Sequence, residues 1–240
     1  MALDKLPLLA VLYFCYHIAV TAPNPPASRK EISKYPTNRV DTVSHGPIMD
    51  IWALVKAAIF LVIACEITVI VSAHFTTNVF AKMTSNILVR TSSTSHTPSI
   101  GPMFMTGFLL CLFGTYVRWS AYRALGRLFT FEVSIRDQHR LITTYPYSIV
   151  RHPSYIGSFA ALPSINLCIF GPGSWIFECG WLELLPVQIF AVLMSGLHAY
   201  VLYILVLRLR NEDEMMKKEF GKQWDEWAKN VPYKLIPGVI

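Results

Sequence analysis

Residues 185–207 run for 23 positions without an Asp, Glu, Lys or Arg. About 20 apolar residues in a helix cross the hydrocarbon of a bilayer, and only helices or closed barrels satisfy their own backbone there. This run therefore fixes the expected class: all-α, a polytopic membrane helical bundle. Further apolar runs cover residues 48–73, 100–117 and 155–170. The last is short, and Pro163 interrupts it. Residues 6–22 are a fifth candidate, about the minimum length for a span. A cleaved signal peptide is the alternative, since Val20-Thr21-Ala22 resembles a small-residue cleavage site. Tyr13, Tyr16 and His17 make the run more polar than a signal core, so a retained first helix is expected.

Charge supports this class. Charged residues make up 15% of the 240, against about 25% in soluble domains. The spans follow one another without a gap the size of a soluble domain. Residues 1–240 should thus form one integral membrane domain, with 100–240 as its chemical part and 1–99 as accessory helices and loops. The net charge of +6 sits at membrane edges, where it reports topology and anionic lipid rather than nucleic acid. The five cysteines are isolated and read as small core hydrophobes.

Runs 155–170 and 185–207 make a hairpin. Its connector carries Glu178 and Glu183 and no basic residue, while its other ends carry the Arg-rich segment 118–154 and Arg208/Arg210. By the positive-inside rule those ends are cytosolic. Counting back gives about five spans, a lumenal N-terminus and a cytosolic C-terminus. Between the spans, the Pro-rich stretch 23–47 and the Ser/Thr/Asn-rich stretch 74–99 read as loops. Inside run 48–73, Lys56 and Glu66 are ten residues apart, about 15 Å along a helix, so they do not pair. Glu66 is expected near the interface or hydrogen-bonded within the bundle. Residues 211–229 read as a tail helix with a stripe of Met216, Phe220, Trp224 and Trp227, facing either headgroups or bundle. The stretch 231–238 should be extended.

No Cys/His metal cluster, Gly-rich phosphate loop or Gly-x-Ser-x-Gly elbow is present, and no metal site is expected. Polar groups crowd instead at two junctions, Arg151 to Gly157 and Arg208 to Asp213, which the hairpin returns to one face. Any one of them suits a simple membrane anchor. Together they offer a cation (Arg208), anions (Glu212, Asp213), aromatic faces (Tyr147, Tyr155) and a helix start at Tyr155 and Gly157 whose N–H groups can hold an anion. Such a set suits a zwitterionic cofactor beside a substrate with a charged head and a lipid tail. Arg208 and Glu212 are also spaced i, i+4, and could simply pair.

The run His139-Arg140-Leu141-Ile142-Thr143, then Tyr147, then Arg151-His152-Pro153-Ser154-Tyr155-Ile156-Gly157 resembles the signature of isoprenylcysteine carboxyl methyltransferases. The tail is similar too: Arg208-x-x-x-Glu212-Asp213, Phe220-Gly221, Trp224, Trp227, Val231-Pro232 and Leu235 to Gly238. The resemblance covers about residues 101–240. It implies a multi-pass enzyme of the endoplasmic reticulum membrane, facing the cytosol. It would use S-adenosyl-L-methionine to methylate the C-terminal carboxylate of prenylated cysteine on CaaX proteins. It also implies roles. His139, Arg140, Leu141, Ile142, Tyr147, His152, Pro153, Ser154, Tyr155 and Glu212 would line the cofactor pocket, Arg151 would support it, and Arg208 would meet the substrate carboxylate. The sequence departs from the family at Tyr145, where Gly is usual, and at Asp213, where Glu is common. The alternatives are a phospholipid or small-amine N-methyltransferase and a non-catalytic prenyl- or lipid-binding protein.

Overall fold

The structure is a computed structural model that describes residues 2–28, 31, 47–75, 79–90 and 97–239. Much of the expected loop 23–47, and residues 76–78 and 91–96 of the expected loop 74–99, lie outside these. The described residues contain helices and turns and no strand. In chain order the helices are α1 (Lys5–Val20), α2 (Pro47–His74), α3 (Val79–Leu88), α4 (Pro102–Leu125), α5 (Pro153–Phe170), the single turn α6 (Trp175–Glu178), α7 (Leu185–Phe220) and α8 (Lys222–Asn230). Short 3₁₀ turns lie at Gly126–Leu128 and Trp181–Glu183.

Three helical stretches among the described residues are long and apolar enough to cross a membrane: Asp50–His74, Pro153–Glu178 and Leu185–Phe220. They correspond to the expected runs 48–73, 155–170 and 185–207. The two other expected spans are helical, but α1 has only 16 residues. Helix α4 has 24, and its last turns carry Arg118 and Arg123. Pro163 does not break α5, which runs through it.

Two expectations need correction, over 74–99 and 211–229. Stretch 74–99 is not all loop, because α3 occupies its middle. The Arg-rich segment 118–154, to which the sequence assigns no element, starts as helix, since α4 continues to Leu125. The tail helix expected over 211–229 does not exist as one element. Arg208 to Phe220 contains no Gly or Pro, so α7 runs on unbroken and reaches 36 residues. The break comes at Gly221, whose φ of +53° only glycine adopts readily, and α8 starts after it.

The chain divides into two compact units. The first comprises Met1–His17, Trp52–Leu112 and Ala160–Ala199; the second comprises Ile18–Ile51, Phe113–Phe159 and Tyr200–Ile240. In the first unit, Leu9, Leu12, Ile59, Ile70, Phe104 and Ile165 form part of a buried core. Gly107 lets α4 approach α5: a Cβ there would lie 2.6 Å from Cys168 Sγ and 2.8 Å from the Ser164 carbonyl oxygen.

Two closed polar sets lie inside this core. Lys5 and Glu66 are both buried and paired at 2.5 Å. Lys5 Nζ also donates to the Gly173 carbonyl (2.8 Å) and sits 4.2 Å above the Phe104 ring. The second Glu66 oxygen accepts the Trp175 N–H at 3.1 Å. Glu66 is therefore hydrogen-bonded within the bundle, with Lys5 rather than Lys56 as its cation. In the second set, His198 lies 3.0 Å from the Tyr16 hydroxyl and 3.2 Å from Asn166 Oδ1, with its ring stacked on Trp52. A ring that donates from Nδ1 to Asn166 Oδ1 and accepts the Tyr16 O–H at Nε2 satisfies every contact in the neutral form.

Cys111, Cys168 and Cys179 are buried and act as small hydrophobes.

Breaking a buried pair by removing one partner leaves an uncompensated charge, whereas replacing both with apolar groups is far milder. Glu66→Leu alone is therefore expected to cost about 3–5 kcal/mol in detergent unfolding. Lys5→Met added to it should recover most of that loss. Equal stability of the single and double variants would contradict this account.

Candidate functional site

The second unit carries both junctions. Pro153 starts α5, where its fixed φ and missing N–H suit the first helical position. Arg151 and His152 precede it, outside the helix. Their backbone N–H groups donate to the carbonyls of Tyr233 (3.0 Å) and Lys234 (2.9 Å). The C-terminal tail is thus bound to the motif main chain to main chain. It bends at residues 234–236 and turns at 237–239, so only part of the expected extended stretch is extended.

At 1.5 Å per residue, the 36 residues of α7 span about 54 Å, well beyond a hydrocarbon core of about 30 Å. The excess carries Arg208, Glu212 and Asp213. Arg208 and Glu212, one turn apart, pair at 3.3 Å, as their spacing allows. Arg208 also donates to the Phe131 carbonyl at 2.8 Å. Glu212 accepts the Tyr155 hydroxyl. Its other oxygen lies 3.4 Å from His152 Nδ1. The second ring nitrogen of His152 lies 3.0 Å from Asp213. Asp213 in turn binds Arg151 (3.0 Å) and Lys234 (3.3 Å). Arg151 donates onward to the Pro232 carbonyl and lies over the Trp224 ring.

One imidazole therefore bridges two carboxylates, and each carboxylate reaches further cations. Burial by itself would lower the His152 pKa. The bonds to Asp213 and Glu212, with their charges, outweigh it and hold His152 above its ordinary value. With a carboxylate oxygen at each ring nitrogen, the geometry suits the protonated ring, in which both nitrogens donate.

Tyr147 is half-buried, and its carbonyl accepts the Trp227 indole N–H at 3.3 Å. Burial first, and the Glu212 charge second, push its phenol far above the ordinary range. Trp224 is buried, and Met216 packs on the Val133, Ile135 and Met215 cluster. The Met216-to-Trp227 stripe thus faces protein, which decides between the two expected surroundings.

The contacts of His139 run elsewhere. Its Nδ1 accepts the Arg136 N–H (3.4 Å) and its ring lies against Phe220. Burial, opposed by the Glu219 charge, lowers its pKa and keeps it neutral. Arg140 is exposed, Leu141 buried and Ile142 half-buried. Pro153 and Ser154 are buried. Tyr145 is exposed, and its hydroxyl donates to that of Tyr116.

Two sequence-based readings change. The Tyr155 N–H is not free for an anion, because it donates to the His152 carbonyl. Gly157 serves close packing instead. A Cβ there would lie 2.6 Å from the Gly114 carbonyl oxygen and 2.5 Å from Arg118 Cγ. Arg118 itself went unrecognised. It is buried and donates to the Tyr122 hydroxyl (2.8 Å), the Ser154 carbonyl (3.1 Å) and the Ser158 hydroxyl. Its guanidinium also lies over the Phe131 ring. The one signal in the sequence is an arginine just past an apolar run.

A single family model takes in both junctions. Residues 105–218 match the isoprenylcysteine carboxyl methyltransferase family. The matched segment includes the Arg151-to-Gly157 and Arg208-to-Asp213 junctions and stops short of the tail. The chain is 30% identical over 128 residues to protein-S-isoprenylcysteine O-methyltransferase B of Arabidopsis thaliana, covering 52% of this chain and 55% of that protein. It is 30% identical over 139 residues to the protein-S-isoprenylcysteine O-methyltransferase of Dictyostelium discoideum, covering 57% and 50%. It is also 29% identical over 103 residues to the Delta(14)-sterol reductase TM7SF2 of Mus musculus, covering 42% of this chain and 20% of that protein. The chain spans about half the length of the two methyltransferase relatives.

The His152 shift has a pH signature. A raised folded-state pKa contributes stability that is complete below the unfolded value, about 6.5, and is lost as pH rises through the folded value. The melting temperature in detergent is therefore expected to fall above about pH 6.5 more steeply for the parent than for His152→Gln. Parallel pH profiles would contradict the bridging imidazolium.

Proposed function

We propose that this chain is an S-adenosyl-L-methionine-dependent methyltransferase of the endoplasmic reticulum membrane. It esterifies the C-terminal carboxylate of a farnesylated or geranylgeranylated cysteine on CaaX-processed proteins, at a site facing the cytosol. The observation that supports this most is the bonded set of Arg208, Glu212, His152 and Tyr155 inside the segment that matches the methyltransferase family.

When bound, S-adenosyl-L-methionine supplies an electrophilic methyl group. The residues present suit it. Its amino-acid end is zwitterionic and needs both an anion and donors. Glu212 supplies the anion. Among the described residues, Arg151 Nε and Trp224 Nε1 are buried donors without a hydrogen-bond partner, and a ligand acceptor would satisfy such groups. The residues proposed to hold the cofactor are His139 to Ile142 and Arg151 to Tyr155, with Tyr147 and Glu212.

The acceptor carboxylate is ionised at neutral pH, with a pKa of about 3.5, so no general base is required. Catalysis then rests on orientation and water exclusion. Arg208 would fix the angle of the carboxylate with its planar fork and offset the loss of water around it. Its contacts with Phe131 and Glu212 aim the guanidinium. The prenyl chain would arrive from the bilayer and the cofactor from the aqueous side.

The test is an assay in membranes containing the protein, with N-acetyl-farnesylcysteine and phosphatidylethanolamine side by side. A methyl ester on the first and no product on the second is expected. Methylated phosphatidylethanolamine would instead support an amine N-methyltransferase. In a parallel arm supplied with a Δ14 sterol and a hydride donor, sterol reduction, with no ester in the first arm, would support a reductase like the mouse relative. Arg208→Lys should lose at least about tenfold in kcat/KM by losing the fork, while cofactor affinity stays within about threefold (~0.7 kcal/mol). A parallel loss of cofactor affinity would contradict the division of roles.

A further inference from the structure

Helix α3 belongs to the first unit and presents three faces. Ala81 and Thr84 are buried, and Leu88 is half-buried. Their spacing of i, i+3, i+7 is one helical face, the one that packs inward. Lys82, Ser85 and Asn86 are exposed along one flank. Along the other flank Val79, Met83 and Ile87, at i, i+4, i+8, are exposed at 73%, 57% and 64%. The short helix is thus polar on one open flank and apolar on the other.

What covers the apolar flank follows from where the helix is tethered. The candidate span of α2 ends at His74, five residues before Val79. At no more than about 3.6 Å per residue, α3 starts within about 18 Å of the end of that span. Its other end is held by indoles. The Leu88 carbonyl accepts the N–H of both Trp175 and Trp181, each at 2.8 Å. Trp175 lies in a second candidate span that ends at Glu178. Arg90 stacks over the Trp181 ring, and its N–H donates to the Cys179 carbonyl. Tryptophan and arginine at the end of apolar spans mark the boundary between headgroups and acyl chains.

We infer that α3 lies in the plane of the membrane interface, with Val79, Met83 and Ile87 in the acyl boundary and Lys82, Ser85 and Asn86 among headgroups. Its partner is the lipid surface. Lys82 is the only charge on the helix, so the contact is driven by apolar burial and does not require anionic lipid. This inference does not depend on the proposed reaction.

The test uses the full chain in phosphatidylcholine nanodiscs, with the half-buried Cys15 and Cys65 changed to alanine. Lys82→Cys, Met83→Cys, Asn86→Cys and Ile87→Cys each receive a nitroxide. Positions 83 and 87 should collide more with oxygen than with a water-soluble nickel chelate, and positions 82 and 86 the reverse. Adding phosphatidylserine should leave this pattern unchanged. Free access of the chelate to 83 and 87 would overturn the inference in favour of a water-facing helix. Shielding of 83 and 87 from both probes would overturn it in favour of a protein partner or a second copy.

Discussion

A histidine bridging two carboxylates organises the second unit. Glu212 and Asp213 are consecutive on α7, and without a cation between them their charges would repel in a poorly hydrated place. His152 sits there and binds both. The rest follows outward. Glu212 draws in Arg208 and the Tyr155 hydroxyl; Asp213 draws in Arg151 and Lys234. The bridge requires α7 to run past its apolar stretch. It also requires His152 to precede the helix that Pro153 starts, and the tail to return to the main chain of Arg151 and His152. Each of these local features is present in the chain.

The same rule governs the first unit. In a poorly solvating interior an unpaired polar group is costly, so such groups occur in closed sets. Lys5, Glu66, Gly173 and Trp175 form one set, and Tyr16, His198 and Asn166 another. Neither set contributes to the proposed chemistry. Both join segments far apart in sequence, and so specify how α1 is placed within its unit.

Much of this was legible in the sequence because length and apolarity act locally. The run 185–207 could only be a helix, and the crowding of Arg151 to Tyr155 and Arg208 to Asp213 at span ends marked the site. What escaped detection depends on long-range pairing or on the main chain. Nothing local to Lys5 or Glu66 reveals that they meet. Side-chain patterns do not disclose that the carbonyls of Tyr233 and Lys234 bind the N–H groups of Arg151 and His152. Gly157 looked like a helix-start residue open to a ligand, whereas its meaning lies in Gly114 and Arg118 on another helix. The continuation of α7 through Arg208 to Phe220 was masked by its change from apolar to charged, which alters the solvent without altering helix propensity. Helix α3 was hidden by a Ser/Thr/Asn-rich neighbourhood that reads as loop on composition alone.

His152 couples the two junctions, because its ring binds Glu212 and Asp213 from the other one. A double-mutant cycle with His152→Gln and Glu212→Gln, read by unfolding in detergent, tests this most directly. A coupling of at least about 1 kcal/mol is expected, within the range found for residues sharing a buried polar network. Additivity of the two substitutions within about 0.5 kcal/mol would contradict it.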